Sequence, residues 1–211
     1  MTRSLVAVLV PRPDSDGFPD ERLRAAMVED VYEMVAALDL VEPALALDVD
    51  DPGRAALEDL TWPGTALVHL PPSSDVVSRT RHALDALVGS GADQVTVVAG
   101  DAPDLPGLLV GKLHRALASA DVAVLPGTDG GLVGLATHAP LPVWLAAEPA
   151  AADLDHADAV AHLREAARRR TAVSVGPGWH RVRSASDLER LDPGLEGWEI
   201  TRELLGGTRG R

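Results

Sequence analysis

The stretch that decides the fold reads Gln94-Val95-Thr96-Val97-Val98-Ala99-Gly100-Asp101-Ala102-Pro103-Asp104-Leu105-Pro106. Its first six residues are rich in β-branched side chains and are not interrupted, which is typical of a buried strand. Its last seven residues hold two carboxylates and two prolines, which is the composition of a stiff turn. Proline suits the first turn of a helix, so a helix is expected to begin near Pro106. The stretch therefore predicts a strand, a loop and a helix in that order.

Outward from this stretch, short apolar runs alternate with amphipathic ones. Further strands are predicted at residues 5–10, 44–47, 65–70, 121–125, 131–136 and 171–175. Helices are predicted at residues 20–38, 73–88, 106–118 and 155–170, with a short capped helix at 184–191. Such alternation predicts a three-layer α/β/α sandwich with a mostly parallel, mixed sheet. In sheets of this kind ligands bind beyond the carboxyl ends of the strands.

Composition limits the domain count and the partners. A chain of 211 residues fits one domain, placed here at residues 1–191, and the periodicity fades over residues 192–211. We expect that last segment to be a partly disordered C-terminal extension. The net charge of −13 and the aromatic content of 3% argue against binding to nucleic acid.

Residue types and their spacing disfavour four kinds of site or segment. With no cysteine the chain has no disulfide, zinc knuckle, iron–sulfur cluster or thiol nucleophile. No two histidines have a metal-binding spacing of the His-x-x-x-His kind on a predicted helix. Ser73-Ser74 lacks the glycine pattern of a nucleophile elbow, which disfavours a serine hydrolase. The first apolar run is too short to span a bilayer. We expect a cytoplasmic protein.

The loop after the best strand carries the first candidate site. Asp101 and Asp104 lie three residues apart at the strand tip, where a carboxylate reaches a bound cation. Mg²⁺ and Mn²⁺ prefer oxygen ligands and are often held by one or two carboxylates. The alternative is that Asp104 caps the next helix and Asp101 is a turn residue.

Two other loops could contact a ligand. In the loop Pro126–Gly131, Asp129 with Gly130 and Gly131 could approach a sugar or a metal. Asp-Gly is also a strong hairpin signal, so a plain turn is the alternative reading. The loop from Pro11 to Leu23 matches neither a P-loop nor a dinucleotide fingerprint. It offers Arg12 and Arg22 as phosphate ligands.

Taken in order, these loops resemble a family of GT-A-type nucleotide-diphospho-sugar transferase-like proteins. Members are small bacterial proteins related in fold to molybdenum-cofactor and phospholactate nucleotidyltransferases. Their pattern Gly-Ser-Asp-Cys-Pro-Asp-Leu corresponds here to residues 99–105, and Pro-Ala-Glu-Asp-Gly-Gly-Tyr to residues 126–132. Their Thr-Pro-Glu-Asp-Leu helix start corresponds to residues 184–188. The resemblance covers roughly residues 3–191 and implies a Rossmann-like GT-A fold.

The resemblance also implies roles for individual residues. Asp101 and Asp129 would be catalytic, and Asp101 would hold a divalent Mg²⁺ or Mn²⁺. The nucleotide and its phosphates would contact Pro11, Arg12, Arg22, Gly100, Arg181 and Arg183. The sugar or acceptor would contact Asp104, Gly130 and Gly131.

Two departures from the family pattern change these expectations. A lysine that should neutralise phosphate in the family is absent, since the chain reads Asp20-Glu21-Arg22-Leu23. Where the family places aspartates before its last helix, this chain has Arg181 and Arg183. On formal charges this changes the site by about four units and should weaken metal binding. An arginine pair could instead hold a diphosphate directly.

Three functional hypotheses follow. The first is a transferase that uses a nucleotide-sugar donor, with altered or lost metal dependence. The second is a catalytically degenerate relative that binds a small molecule or a partner. The third is a nucleotidyltransferase. The first and third have a small-molecule nucleotide or nucleotide-sugar as their ligand, and the oligomeric state stays open, a dimer being one alternative.

Overall fold

The structure is a computed structural model that describes residues 2–13, 16–72, 79–148 and 152–208. Its strands are β1 (Ser4–Leu9), β2 (Val41–Asp48), β3 (Ala66–Leu70), β4 (Gln94–Ala99), β5 (Val122–Pro126), β6 (Leu132–His138) and β7 (Val173–Val175). Its helices are α1 (Glu21–Ala36), α2 (Arg54–Asp59), α3 (Arg79–Gly89), α4 (Gly107–Ala116), α5 (Val143–Ala147), α6 (Ala159–Ala166) and α7 (Glu199–Thr208). Short 3₁₀ helices cover Arg170–Ala172 and Ala185–Arg190.

The strands form one mixed sheet in the order β3-β2-β1-β4-β6-β5-β7. Strand β1 pairs in parallel with both β2 and β4, whereas β6 runs antiparallel to β4 and β5. The chain winds outward from β1 through β2 to β3 and then returns to the other side of β1 with β4. The direction of winding therefore changes between β1 and β4, which is where open α/β sheets bind their ligands.

Helices cover both faces of the sheet. Alternate strand residues point to opposite faces, so Val6 and Val8 pack with α1, α2 and α4. Leu5 and Ala7 pack instead with α3, α5 and α6. This arrangement confirms the predicted three-layer α/β/α sandwich with a mixed sheet.

Strand β4 anchors the centre of the fold as its sequence predicts. Val95, Val97 and Val98 are fully buried, and each contributes about 1.5–3 kcal/mol through removal of apolar surface from water. Helix α4 begins at Gly107 with Pro106 as its N-cap, one residue after the predicted start. The loop between them is therefore held at the carboxyl edge of the sheet.

The structure shortens one predicted helix and describes another only in part. The helix predicted at residues 155–170 is shorter, because α6 covers only Ala159–Ala166. The residues before it pack against the sheet, where Leu132 N donates to Leu154 O at 2.8 Å. The helix predicted at residues 73–88 is described from Arg79 onward, and residues 73–78 lie outside the described residues.

The segment after Leu191 contains a helix that the sequence analysis did not predict. Helix α7 packs on α1 through a separate apolar cluster that includes Trp198, Leu23 and Met27. Asp30 of α1 accepts hydrogen bonds from the first turn of α7, at 3.0 Å from Ile200 N and 2.8 Å from Thr201 N. The extent of the domain stays a prediction, and residues up to Leu205 contribute to the packed structure.

Candidate functional site

The candidate site is a cavity of about 240 Å³ at the point where the winding direction changes. Its walls come from the end of β1, the loop after β4 and the segment before the last 3₁₀ helix. The lining residues are Leu9, Val10, Pro11, Arg12, Phe18, Pro19, Arg79, Asp101, Asp155, Arg181, Val182 and Arg183. The carboxyl ends of β1 and β4 meet here because Leu9 and Ala99 are register partners.

Asp101 and Arg181 form a buried bidentate ion pair at the floor of this cavity. Arg181 Nε donates to Asp101 Oδ1 at 2.6 Å, and Nη2 donates to Oδ2 at 2.8 Å. The residues are only 3% and 9% exposed. Such charge-assisted fork contacts are among the strong hydrogen bonds of proteins. Both oxygens of the Asp101 carboxylate are therefore engaged by one guanidinium.

Arg181 also holds the segment that precedes α6. Its Nη1 donates to Asp155 Oδ1 at 2.8 Å and to the carbonyls of Leu132 and Leu154 at 3.2 Å each. Burial alone would lower the pKa of Arg181, but the charges of Asp101 and Asp155 outweigh it and raise that pKa. Arg181 is a fixed cation that ties three chain segments together.

Arg183 lies beside this pair with uncommitted donors. Its Nε and Nη2 are buried and have no hydrogen-bond acceptor among the described residues. Asp155 Oδ1 lies 3.6 Å from Nη2, beyond hydrogen-bond distance. Burial and the positive charge of Arg181 both lower the pKa of Arg183. The Arg183 side chain is 37% exposed, and a partly buried cation with unsatisfied donors favours an added anion.

Asp155 is held in its ionised form by the same arginines. Burial opposes ionisation of this carboxyl, but the charges of Arg181 and Arg183 outweigh it, so the pKa of Asp155 is lowered. Its side chain remains 57% exposed at the mouth of the cavity. Asp155 therefore adds a negative charge beside Arg183 without saturating the donors of that residue.

A second buried carboxylate lies at the end of β2. Asp48 accepts from Arg12 Nε at 2.6 Å and Nη2 at 3.0 Å, and from Arg79 Nε at 3.0 Å. Arg79 also donates to Val10 O at 2.8 Å. Burial lowers the pKa of Arg79 despite the attraction of Asp48. The contact with Asp48 therefore fixes the position of the Arg12 side chain at the end of β2.

The balance of charge around the cavity opposes that of the whole chain. Among the described residues, four arginines and three aspartates lie in or beside it, which leaves a formal charge of +1 in a chain of −13. These residues are Arg12, Arg79, Arg181, Arg183, Asp48, Asp101 and Asp155. The local field therefore favours an anionic ligand.

The loop that carries Asp129, residues 126–131, lies near the cavity. None of its residues is among the described residues that line the cavity. Asp129 is exposed and pairs with Arg190, whose hydrogen bond lowers the pKa of this carboxyl. The backbone N–H groups of Gly130 and Gly131 already donate to Gly127 O and Ala157 O. These N–H groups are thus used within the protein.

Gly131 is required by its surroundings. Its φ of +73° is unfavourable for other residues, and a Cβ there would lie 2.4 Å from Leu154 O and 2.8 Å from Arg183 Nη2. This glycine lets the hairpin approach the arginine. Its contribution to the candidate site is therefore space beside Arg183.

Asp104 anchors the C-terminal segment rather than facing the cavity. It accepts from Trp179 Nε1 at 3.1 Å and from Asp192 N at 3.2 Å, and it is 2% exposed. It makes no helix cap, since no side chain caps α4. The predicted contact of Asp104 with a sugar or acceptor stays untested.

The structure places only some of the other predicted phosphate-binding residues in the cavity. Pro11 and Arg12 line the cavity, whereas Arg22 is exposed on α1 and is not among the lining residues. Gly100 permits the close approach of β1, because a Cβ there would lie 2.9 Å from Leu9 O. The N–H of Gly100 donates to that same oxygen at 2.9 Å.

Sequence reasoning missed three charged residues of the site. Asp48 carries a detectable signal, since it is a carboxylate at the end of a predicted strand. Arg79 lies at the start of α3, 31 residues from its partner Asp48, and Asp155 was assigned to a helix. Nothing local in the sequence connects those two to the cavity.

A divalent ion on Asp101 does not fit these residues. The carboxylate is fully engaged by Arg181. Within residues 2–13, 16–72, 79–148 and 152–208, no group of three or more His, Cys, Asp or Glu side chains could hold a metal ion. In the structure a guanidinium therefore occupies both Asp101 oxygens, which leaves no free carboxylate there for a divalent cation.

Comparison with known proteins shows the family. Residues 31–149 match DUF2064, a family described as uncharacterized proteins conserved in bacteria. The match spans more than half of the 211 residues. The chain belongs to the DUF2064 family. This region of family similarity contains Asp48, Arg79, Asp101 and Asp129, and the two arginines Arg181 and Arg183 lie beyond it.

Solved structures share the fold. A candidate nucleotide-diphospho-sugar transferase from Desulfovibrio desulfuricans G20 has a TM-score of 0.65 and 20% identity, covering 99% of this chain and 98% of that one. The 4-diphosphocytidyl-2C-methyl-D-erythritol synthase from Anaerococcus prevotii DSM 20548 has a TM-score of 0.63 and 13% identity, with coverages of 97% and 96%. Rv0371c from Mycobacterium tuberculosis H37Rv, solved in complex with manganese, has a TM-score of 0.58 and 19% identity, with coverages of 90% and 97%. The GT-A-like, Rossmann-type fold that the sequence implied is confirmed.

Neither a curated relative nor, in the part of the chain that the structure describes, a membrane-spanning helix was found. No curated protein matches the chain. Among the described residues, no helix has the length and apolar character needed to cross a membrane.

Proposed function

We propose that this protein is a transferase that binds a nucleotide-sugar donor, with the donor diphosphate in the arginine-lined cavity. The observation that carries the proposal is Arg183, a partly buried arginine that lines the cavity and whose Nε and Nη2 have no hydrogen-bond acceptor among the described residues. The oxygens of a diphosphate can accept hydrogen bonds from two guanidinium N–H groups at once. The names of the similar structures, a nucleotide-diphospho-sugar transferase and a cytidyl-carrying synthase, support a nucleotide ligand.

The size of the cavity limits which part of the donor it takes. Sites for whole small ligands usually measure about 300–1,000 Å³, and this one measures about 240 Å³. We expect the diphosphate to lie inside it, against Arg12 and Arg183, with the base or the sugar at the mouth. The rest of the chain is acidic and repels anions, so it favours binding of the diphosphate at the cavity over other positions.

In this proposal the protein contributes to the transfer reaction mainly by stabilising charge on the leaving diphosphate. When the bond between the anomeric carbon and the diphosphate oxygen breaks, negative charge grows on the leaving diphosphate. Fixed guanidinium groups in a partly buried site stabilise that charge without reorganising. In this proposal Arg183 and Arg12 contact the phosphates, Asp101 positions Arg181, and Asp129 faces the sugar or acceptor from the neighbouring loop.

A panel of nucleotides in thermal unfolding tests the proposal. We expect a nucleoside diphosphate and its sugar conjugate (UDP and UDP-glucose, or the guanosine, cytidine or adenosine pair) to raise the melting temperature in excess EDTA. At a ligand concentration of 100 times Kd the stabilisation is about 2.7 kcal/mol, or several degrees for a chain of this size. Absence of a shift with every nucleotide would contradict the proposal.

Replacing Arg183 with alanine should weaken binding of the best nucleotide by roughly 10- to 100-fold. Hydrogen bonds to charged groups contribute about 1.5–3 kcal/mol each, and the variant removes the donors that have no partner. Isothermal titration calorimetry in EDTA measures the effect. Arg115→Ala is the matched control, because it removes the same charge from an exposed position on α4. Equal affinity in both variants would exclude Arg183 from the site.

The saturated carboxylates favour a second candidate, a nucleotide-binding protein without transferase activity. Asp48 and Asp101 are both committed to arginines, so neither is placed to act directly as a base. Incubation with a radiolabelled nucleotide-sugar separates the candidates: release of the nucleoside diphosphate supports the transferase, and binding without release supports the second. Release of pyrophosphate from a nucleoside triphosphate would instead support a nucleotidyltransferase.

A further inference from the structure

Five oxygen atoms surround the guanidinium of Arg181. They are Asp101 Oδ1 and Oδ2 at 2.6 and 2.8 Å, Asp155 Oδ1 at 2.8 Å, and the carbonyls of Leu132 and Leu154 at 3.2 Å. They come from the loop after β4, the start of β6 and the segment before α6. Three distant parts of the chain therefore direct their oxygens at one point.

This donor set is the kind that a hard divalent cation prefers. Carboxylates, backbone carbonyls and water are the usual ligands of Ca²⁺, Mg²⁺ and Mn²⁺. Here the positive charge comes instead from a side chain that is covalently part of the protein and is 9% exposed. We call these five oxygen atoms the oxygen cage. Because the guanidinium uses both oxygens of Asp101, a metal ion and Arg181 cannot occupy the oxygen cage together.

We propose that the Arg181 guanidinium is the resident cation of this oxygen cage and excludes a divalent metal from it. Arg181 is then a positioning residue that determines metal independence, while the neighbouring Arg183 remains open to the phosphates. The consequence for nucleotide binding rests on the proposed function. The cage itself does not, and its test uses metal without nucleotide, so either can fail alone.

The test is the response of the full chain to Mn²⁺ after Arg181 is shortened. In Arg181→Ala the oxygens of Asp101 and Asp155 lose their cation, so the melting temperature should fall by roughly 10 °C. Millimolar Mn²⁺ should recover several degrees of that loss, because metal that binds only the folded state stabilises it. The wild-type chain should shift by less than about 1 °C under the same conditions.

Two further variants control for charge and for folding. Arg190→Ala removes an arginine from the exposed Asp129 pair and should give no response to Mn²⁺. Arg181→Lys keeps a cation in the cage, so it should also give none. If Arg181→Ala does not fold, Arg181→Gln keeps hydrogen-bond donors while removing the charge, and the Mn²⁺ measurement is made on that variant.

Electron paramagnetic resonance of free Mn²⁺ reads out binding directly. The proposal expects one bound ion in Arg181→Ala, or in Arg181→Gln, and none in the wild-type chain at the same concentration. It is overturned if the wild-type chain binds one Mn²⁺ that Asp101→Asn abolishes. It is also overturned if the Arg181 variant that folds takes up no Mn²⁺.

Discussion

Replacing Asp101 with alanine should lower the free energy of unfolding by about 3–5 kcal/mol. The change leaves the Arg181 guanidinium buried without its bidentate partner, and removal of one member of a buried ion pair has this cost. Asp155 and two carbonyls still contact the arginine, but they do not replace the two short hydrogen bonds. Urea denaturation monitored by circular dichroism gives the value.

The matched control is Asp129→Ala, which removes an aspartate from a pair with arginine at the exposed Arg190. Exposed pairs contribute little because water screens them, so this variant should unfold close to the wild type. A second check is the double variant Asp101→Leu with Arg181→Met, which removes both charges together. It should recover most of the lost stability, since apolar replacement of a buried pair is often neutral. Similar stabilities for Asp101→Ala and Asp129→Ala would show that the buried pair is not structural.

Replacing Trp198 with alanine should also cost about 3–5 kcal/mol. The indole is 4% exposed and packs between α7 and α1, in the cluster with Leu23 and Met27. Truncation of a buried tryptophan removes apolar burial and leaves a cavity. It also removes the Arg202 guanidinium contact, which lies 4.5 Å from the ring centroid.

Trp62→Ala is the control for this second prediction, because the Trp62 side chain is 51% exposed. The comparison asks whether the C-terminal segment contributes to the stability of the domain. A large loss for Trp198→Ala in a single cooperative transition would show that residues up to α7 unfold with the sheet. A loss no larger than that of Trp62→Ala would show that α7 contributes little to it.

Much of the fold was predictable from local patterns. Strand β4 is β-branched, continuous and bounded by a proline turn, so its position and the start of α4 follow from the sequence. The same alternation of strands and helices gives the layers of the sandwich. Asp101 at the strand tip was identified because the topology of such sheets brings strand ends to the ligand.

The partners of Asp101 were not predictable in the same way. Arg181 lies 80 residues from it along the chain, and the sequence suggested that Arg181 binds phosphate rather than a carboxylate. Asp155 was predicted to begin a helix, whereas the carbonyl of its neighbour Leu154 accepts a hydrogen bond from Leu132 of β6. Helix α7 was missed because its burial depends on the surface of α1, including the Asp30 cap, and not on its own periodicity.

The proposed function depends above all on one contact, that between the Nε and Nη2 donors of Arg183 and a diphosphate. The most direct measurement is the Nε–H resonance of Arg183 in protein labelled with ¹⁵N-arginine, assigned by its absence from Arg183→Ala. Titration with the best nucleoside diphosphate in excess EDTA should shift this resonance saturably, with the same Kd that calorimetry gives. Saturation of the protein by nucleotide with the Arg183 resonance unmoved, or no binding of nucleotide at all, would contradict the proposed function.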